Sequence, residues 1–165
     1  MKFVELFKTL LLVLSSAICS CYPQGAPIDI CDTISHSRNP GLTFAYEAPY
    51  ALFQTSLSYK PGQVINVSIQ RLTTHSTFEG FMVQAVDKIS GRYIGRFLDA
   101  DGLHPMDECS AVTHKDNKPK TSIQLAWVAP LSQRGDVVFR GTILERKTKY
   151  YEGLVSRLEP VRNQY

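Results

Sequence analysis

Residues 63–70, QVINVSIQ, alternate cleanly: Ile65, Val67 and Ile69 fall on one face, Asn66 and Ser68 on the other. That period of two predicts a half-buried strand. GFMVQAVD (80–87) is apolar almost throughout and predicts a central strand with Phe81, Val83 and Ala85 turned inward. SIQLAWVAP (122–130) puts Ile123, Leu125 and Trp127 on one side and stops at Ala129-Pro130, while GDVVFRGTIL (135–144) aligns Val137, Phe139, Gly141 and Ile143. Turn residues punctuate these runs: Pro61-Gly62, Ser90-Gly91, Asp101-Gly102, Asn117-Lys118-Pro119 and Gly135. No helical periodicity, internal repeat or low-complexity tract follows the first twenty or so residues, and EPVRNQY (159–165) reads as a loose tail.

The start of the chain has a different pattern. Lys2 and Lys8 precede the apolar run Leu10 to Leu14 and a tail of small residues. Charged, then apolar, then small is the layout of a secretory signal peptide over residues 1–20, cleaved after Ser20 or Cys21. The apolar part is shorter than the about 20 residues that a membrane span needs. In CYPQGAP (21–27), two prolines and a glycine resist helix, so the segment is expected to lie extended along a sheet edge, where Pro23 and Pro27 offer no N–H.

Residues 21–165 form one domain-sized unit, large enough to bury roughly two-thirds of its unfolded surface. Of 18 Lys+Arg and 15 Asp+Glu, the leader takes Lys2, Lys8 and Glu5, so the remaining net charge is only about +2. That is too weak to imply a nucleic-acid partner. No later apolar run is long enough for a membrane span, so the expected product is secreted and extracellular. In that oxidising compartment Cys31 and Cys109 survive either cleavage, which makes Cys31–Cys109 the simplest disulfide; a retained Cys21 would be a free thiol or an interchain link. Short strands, frequent turns and one long-range bridge together predict an all-β, antiparallel, immunoglobulin-like β-sandwich.

Candidate chemistry is sparse. His36, His75, His104 and His114 include no pair with metal-site spacing, and there is no nucleophile elbow or phosphate-binding glycine loop. LDADG (98–102) lacks the later acids of a calcium loop, with Ser110 where the bidentate glutamate would stand, so it reads as an Asp-Gly turn. No catalytic, cofactor-binding or metal site is expected, and the chain is not expected to be an enzyme. Trp127 alternates with Ile123 and Leu125 and is expected in the core, packed near the Cys31–Cys109 bridge. His114 is expected to be structural, hydrogen-bonded near that bridge. Asn66-Val67-Ser68 is a possible glycosylation site.

Several stretches in order resemble the reeler (reelin-type) domain: YPQGAP followed by Cys31, PY at 49–50, YKPG at 59–62, FEGFMVQAVD at 78–87, Cys109 followed by VTH at 112–114, WVAP at 127–130, GDVVFRGT at 135–142 and YYEGLVS at 150–156. The resemblance runs from Tyr22 to about Ser156. Ile34, His36 and Arg38 depart from it, standing where the family usually has Met, Pro and His. Reeler domains begin extracellular matrix and neuronal proteins, precede electron-transfer domains in ferric-chelate-reductase-like membrane proteins, and stand alone in small secreted invertebrate defence proteins. A leader followed by one such domain is similar to the last group. The resemblance therefore implies a secreted, antibacterial innate-immunity protein that binds microbial surface polymers such as lipopolysaccharide, peptidoglycan or β-glucan, with a matrix or adhesion module as the alternative. Lys115, Lys118 and Lys120 in one run, and Arg146, Lys147 and Lys149 in another, are the expected contacts to anionic microbial surfaces.

Overall fold

The computed structural model describes residues 24–28, 31, 42–146 and 149–160. Its strands are β1 (Leu42–Phe44), β2 (Tyr50–Gln54), β3 (Ser58–Tyr59), β4 (Val64–Arg71), β5 (Gly80–Asp87), β6 (Arg96–Phe97), β7 (Leu103–Met106), β8 (Ala111–His114), β9 (Ser122–Val128), β10 (Gly135–Arg146), β11 (Lys149–Val155) and β12 (Arg157–Leu158). They form two sheets. One has the order β1-β11-β10-β5-β8-β7, with β3 also paired to β10, and the other has the order β12-β2-β4-β9-β6.

The alternating positions meet across strands as their period requires. In the smaller sheet Ile65 lies opposite Trp127, Val67 opposite Leu125 and Ile69 opposite Ile123. In the larger one Phe81 faces Ile143, Val83 faces Gly141 and Ala85 faces Phe139. These inner faces interdigitate into one core, in which each fully buried aliphatic or aromatic side chain contributes about 1.5–3 kcal/mol. Trp127 sits at its centre, edge-on to Tyr59 at 5.4 Å and to Phe139 at 5.7 Å, with its indole N–H donating to the Ile94 carbonyl at 2.9 Å. Gly95 has φ +64°, and a Cβ there would lie 2.4 Å from the indole, so a glycine lets the chain turn against the ring.

A polar link also joins the sheets. Gln54 of β2 is fully buried; its amide donates to the carbonyls of Ser56 (2.6 Å) and Val137 (3.1 Å) and accepts from the Ser156 hydroxyl. Ser156 Oγ in turn accepts the Phe139 N–H at 2.8 Å, so every polar atom in this link has a partner.

The sandwich differs from the expectation in two ways, and one strand has a burial pattern of its own. Two edge pairings, β1 with β11 and β12 with β2, are parallel rather than antiparallel, because the chain returns to each sheet in the same direction as its new neighbour. β2 shows no alternation in burial: Tyr50, Leu52 and Gln54 point inward, while outward Phe53 lies under the Arg157 guanidinium, 5.0 Å from its ring centre. And Trp127 does not pack beside the disulfide. Cys31 and Cys109 belong to a separate cluster with Met82, Met106 and Ala111. Met82 and Ala111 have the opposite parity to core residues Phe81 and Val112, so this cluster covers the outer face of β5, β8 and β7.

Candidate functional site

The outer-face cluster explains the proline-bearing segment near the start. Cys31 and Cys109 are disulfide-bonded with Cα atoms 5.8 Å apart. Gln84, projecting outward from β5, donates to both the Cys31 and Cys109 carbonyls at 3.2 Å, and the Tyr93 hydroxyl donates to Cys31 O at 3.2 Å. Further back, Ala26 N–H donates to Thr113 Oγ1 at 3.1 Å. Gly25, at φ +109°, passes so close to β8 that a Cβ would stand 2.5 Å from the His114 carbonyl. The segment therefore crosses the face of the sheet, over the interior strand β8, instead of running along an edge. Glycine and alanine allow that close approach.

The VTH run has a structural explanation. The β5–β8 ladder ends at Met82 opposite Thr113, which leaves the next residue, Phe81, without main-chain partners on that side. Side chains replace them. The Phe81 N–H donates to His114 Nδ1 at 3.1 Å, and Thr113 Oγ1 donates to Phe81 O at 2.8 Å. His114 thus closes the end of the ladder farthest from the Gln84 clamp instead of sitting beside the bridge. His75 and His104 are exposed on separate elements, and His36 and the rest of residues 32–40 lie outside the described residues. Asp101-Gly102 is a turn with Gly102 at φ +77°, and Asp99 pairs with Lys115, so no carboxylates converge there. Among the described residues no group of three or more His, Cys, Asp or Glu could hold a metal ion.

The two cationic runs come together in space. Glu79 connects them: its carbonyl accepts from Lys120 Nζ at 3.2 Å and its N–H donates to Leu144 O at 2.9 Å, so residues 115–120 and the described residues of the second run, 145, 146 and 149, share the upper end of the sandwich. Much of their charge is already matched there. Lys115 lies 3.1 Å from Asp99, Lys120 2.8 Å from Asp116 and Lys149 3.3 Å from Glu145. Lys120 is mostly buried. Its ammonium also donates to the carbonyls of Asp116 and Lys118, each at 2.8 Å, making it a pin for the 116–120 loop rather than a surface cation. That ammonium and the Lys118 N–H hold the Asp116 carboxyl below its usual range. Lys149 also stands 5.4 Å over the ring of Tyr151, which is itself a core residue. Lys118 and Arg146 are exposed, and Lys147 lies outside the described residues. Asn66 is exposed in the middle of β4, between β2 and β9, whereas its sequon partner Ser68 is buried and accepts a bond from Gln70.

The lower end is built differently. Three connections cross from one sheet to the other there: 60–63, 88–95 and 129–134. Hydrogen bonds from Gly62 N–H to Pro130 O (3.3 Å) and from Ala129 N–H to Gln63 O (2.9 Å) tie the first and third together, and one from Lys88 N–H to Asp136 O (3.1 Å) ties the second to the start of β10. They carry Lys60, Lys88, Arg92 and Arg134, all exposed, and no carboxylate. No contiguous run announces this group, because each connection supplies only one or two cations. Only the sheet topology gathers them.

The fold and its local devices can now be set beside known proteins. The Reeler domain family profile matches residues 30–164. The chain belongs to the Reeler family. Among curated relatives of this reeler chain, "Putative defense protein 3" of Antheraea mylitta is 31% identical over 78% of this chain and 80% of its own length. "Putative defense protein" of Bombyx mori is 29% identical over 88% of this chain and 89% of its own length. "Putative ferric-chelate reductase 1 homolog" of Drosophila melanogaster is 30% identical over 82% of this chain, but this chain spans only 22% of that protein's length. The crystal structure of the human F-spondin reeler domain superposes with a TM-score of 0.58 at 26% identity, covering 74% of this chain and 97% of that one. These likenesses support a defence-type role and place the two-sheet architecture among reeler domains.

Proposed function

We propose that this chain is a secreted innate-immunity protein with antibacterial action, which works by binding microbial surface components rather than by catalysis. One observation carries the reading: the moth proteins named putative defence proteins align along most of both chains, 78–88% of this one and 80–89% of their own. The leader-like start and the Cys31–Cys109 bridge favour an exported, oxidising setting. No helix among the described residues is long and apolar enough to cross a membrane. The test is parallel binding of purified protein to whole bacteria, lipopolysaccharide, peptidoglycan and β-glucan. Retention on at least one is expected, and retention on none overturns the reading.

A second reading, an extracellular matrix or adhesion module, is favoured by the match to nearly the whole F-spondin reeler domain. Expression after bacterial challenge separates the two, since a defence protein rises sharply and a matrix component does not.

A further inference from the structure

The lower end also carries two of the most exposed large apolar side chains among the described residues, Ile89 at 92% and Leu131 at 84%. Neither sits on a loose loop. Asp87 Oδ1 accepts from Ile89 N–H (3.1 Å), Ser90 N–H (2.7 Å) and Ser90 Oγ (2.8 Å), and Asp87 N–H donates to Arg92 O (2.9 Å), so the turn that displays Ile89 is tied at both ends. Leu131 follows Pro130, whose carbonyl accepts the Gly62 N–H. Lys60, Lys88, Arg92 and Arg134 lie in the same three connections, and none of them makes an ion pair among the described residues. Of the acids nearby, Asp87 is taken up by its turn, Asp136 is half-buried in β10, Glu159 follows β12 with its N–H on Gln54 O, and Asp107 and Glu108 stand on the β7–β8 turn at the outer edge of the sheet.

From this arrangement we infer that the lower end docks on an anionic phospholipid bilayer, with Ile89 and Leu131 entering the acyl boundary and the four cations meeting headgroup phosphates. Charge complementarity and apolar tips together select that occupant: a soluble polyanion would satisfy the cations but gain nothing from apolar tips, whereas a bilayer rewards both. Rigid turns add to this, because tips already held in place lose little conformational freedom on contact. The inference deepens the microbial-surface reading and rests on it only for the source of the membrane.

The experiment is co-sedimentation with vesicles of equal parts phosphatidylglycerol and phosphatidylcholine, against vesicles of phosphatidylcholine alone and against soluble dextran sulfate. The wild-type protein is expected to bind the anionic vesicles and not the neutral ones. Ile89→Ser with Leu131→Ser should weaken that binding at least about tenfold and leave dextran sulfate binding unchanged. Replacing Lys60, Lys88, Arg92 and Arg134 by Ser should weaken it roughly fivefold per cation and remove its salt dependence. As a measurement that does not depend on loss of binding, Ile89→Trp should show a blue-shifted emission with anionic vesicles, over the constant background of buried Trp127. Failure of the wild type to bind anionic vesicles, equal binding to both vesicle types, or tip variants that bind like wild type overturns the inference. If whole bacteria are still bound in any of those cases, the microbial-surface reading survives alone; binding to vesicles without binding to bacteria removes that reading and leaves the lipid contact.

Discussion

His114 shows at the scale of one residue how a conspicuous side chain can be entirely structural. Its ring nitrogen stands in for a strand carbonyl at the end of a ladder, and the Phe81 N–H it receives is buried. Truncating it leaves that donor unpaired, which costs about 1–3 kcal/mol. His114→Ala is therefore expected to lower the urea midpoint without changing what the protein binds, and a shift under about 0.5 kcal/mol would refute the role. Gly95 makes the same point through backbone geometry. At φ +64°, with the indole 2.4 Å from any added Cβ, Gly95→Ala combines left-handed strain with overpacking against Trp127, and a loss of at least about 2 kcal/mol is expected in the same assay. Alternation identified Trp127 as a core residue, but no local pattern specifies that Tyr59 of β3, Phe139 of β10 and Ile94 and Gly95 of the 88–95 connection become its neighbours.

Among the elements, the turns decide which charges are available. Lys120 and Lys118 are nearly adjacent in sequence, yet one is enclosed by carbonyls and a carboxylate and the other is exposed. Lys120→Gln is expected to cost about 1–3 kcal/mol because it strands several oxygens, while Lys118→Gln stays within about 0.5 kcal/mol. Equal effects in thermal unfolding would contradict that division. The turn after β5 is expected to respond to pH. Hydrogen bonds from the Ser90 N–H and hydroxyl hold the Asp87 carboxyl below its ordinary value of 3.8. A lowered carboxyl stabilises the fold above the unfolded value and loses that contribution as the pH falls through the folded one. The protection factor of the Ser90 amide, its intrinsic exchange rate at each pH over the observed one, should therefore fall as the pH drops below 3.8, and unchanged protection down to pH 2 would show that the turn holds without its carboxylate. Strand β5 was legible from end to end as a continuous apolar run, but which turn residue supports which loop was not.

Across the whole molecule, one covalent link and one topological pattern matter most. The bridge closes a loop with a sequence separation of 78, worth roughly 4–5 kcal/mol on the chain-entropy model, and it also holds the segment before Cys31 over Met82 and Met106. Reduction, or Cys109→Ser, is expected to destabilise by several kcal/mol and to expose Met82 and Met106 to oxidation. Methionines as protected in the reduced protein as in the oxidised one would mean that the segment stays in place without the bond. The topology separates two ends of different character: an upper end where carboxylates match Lys115, Lys120 and Lys149, and a lower end where cations from three connections meet two apolar tips.

The sequence alone determined which residues face inward on β4, β5, β9 and β10, because a period of two is a property of consecutive positions. It also determined most of the turns, because glycine, proline and aspartate act within a few residues of themselves, although Gly135, expected in a turn, instead opens β10 opposite Tyr59. It pointed to a two-sheet sandwich and to the Cys31–Cys109 pair. The tertiary structure alone decided that the early proline-bearing segment crosses a face, that the bridge and Trp127 lie on opposite sides of one sheet, and that two edge strands pair in parallel. It also decided that Lys120 is a pin, and that cations far apart in the chain assemble at the lower end. Those outcomes depend on which distant elements become neighbours, and a local pattern carries no record of that.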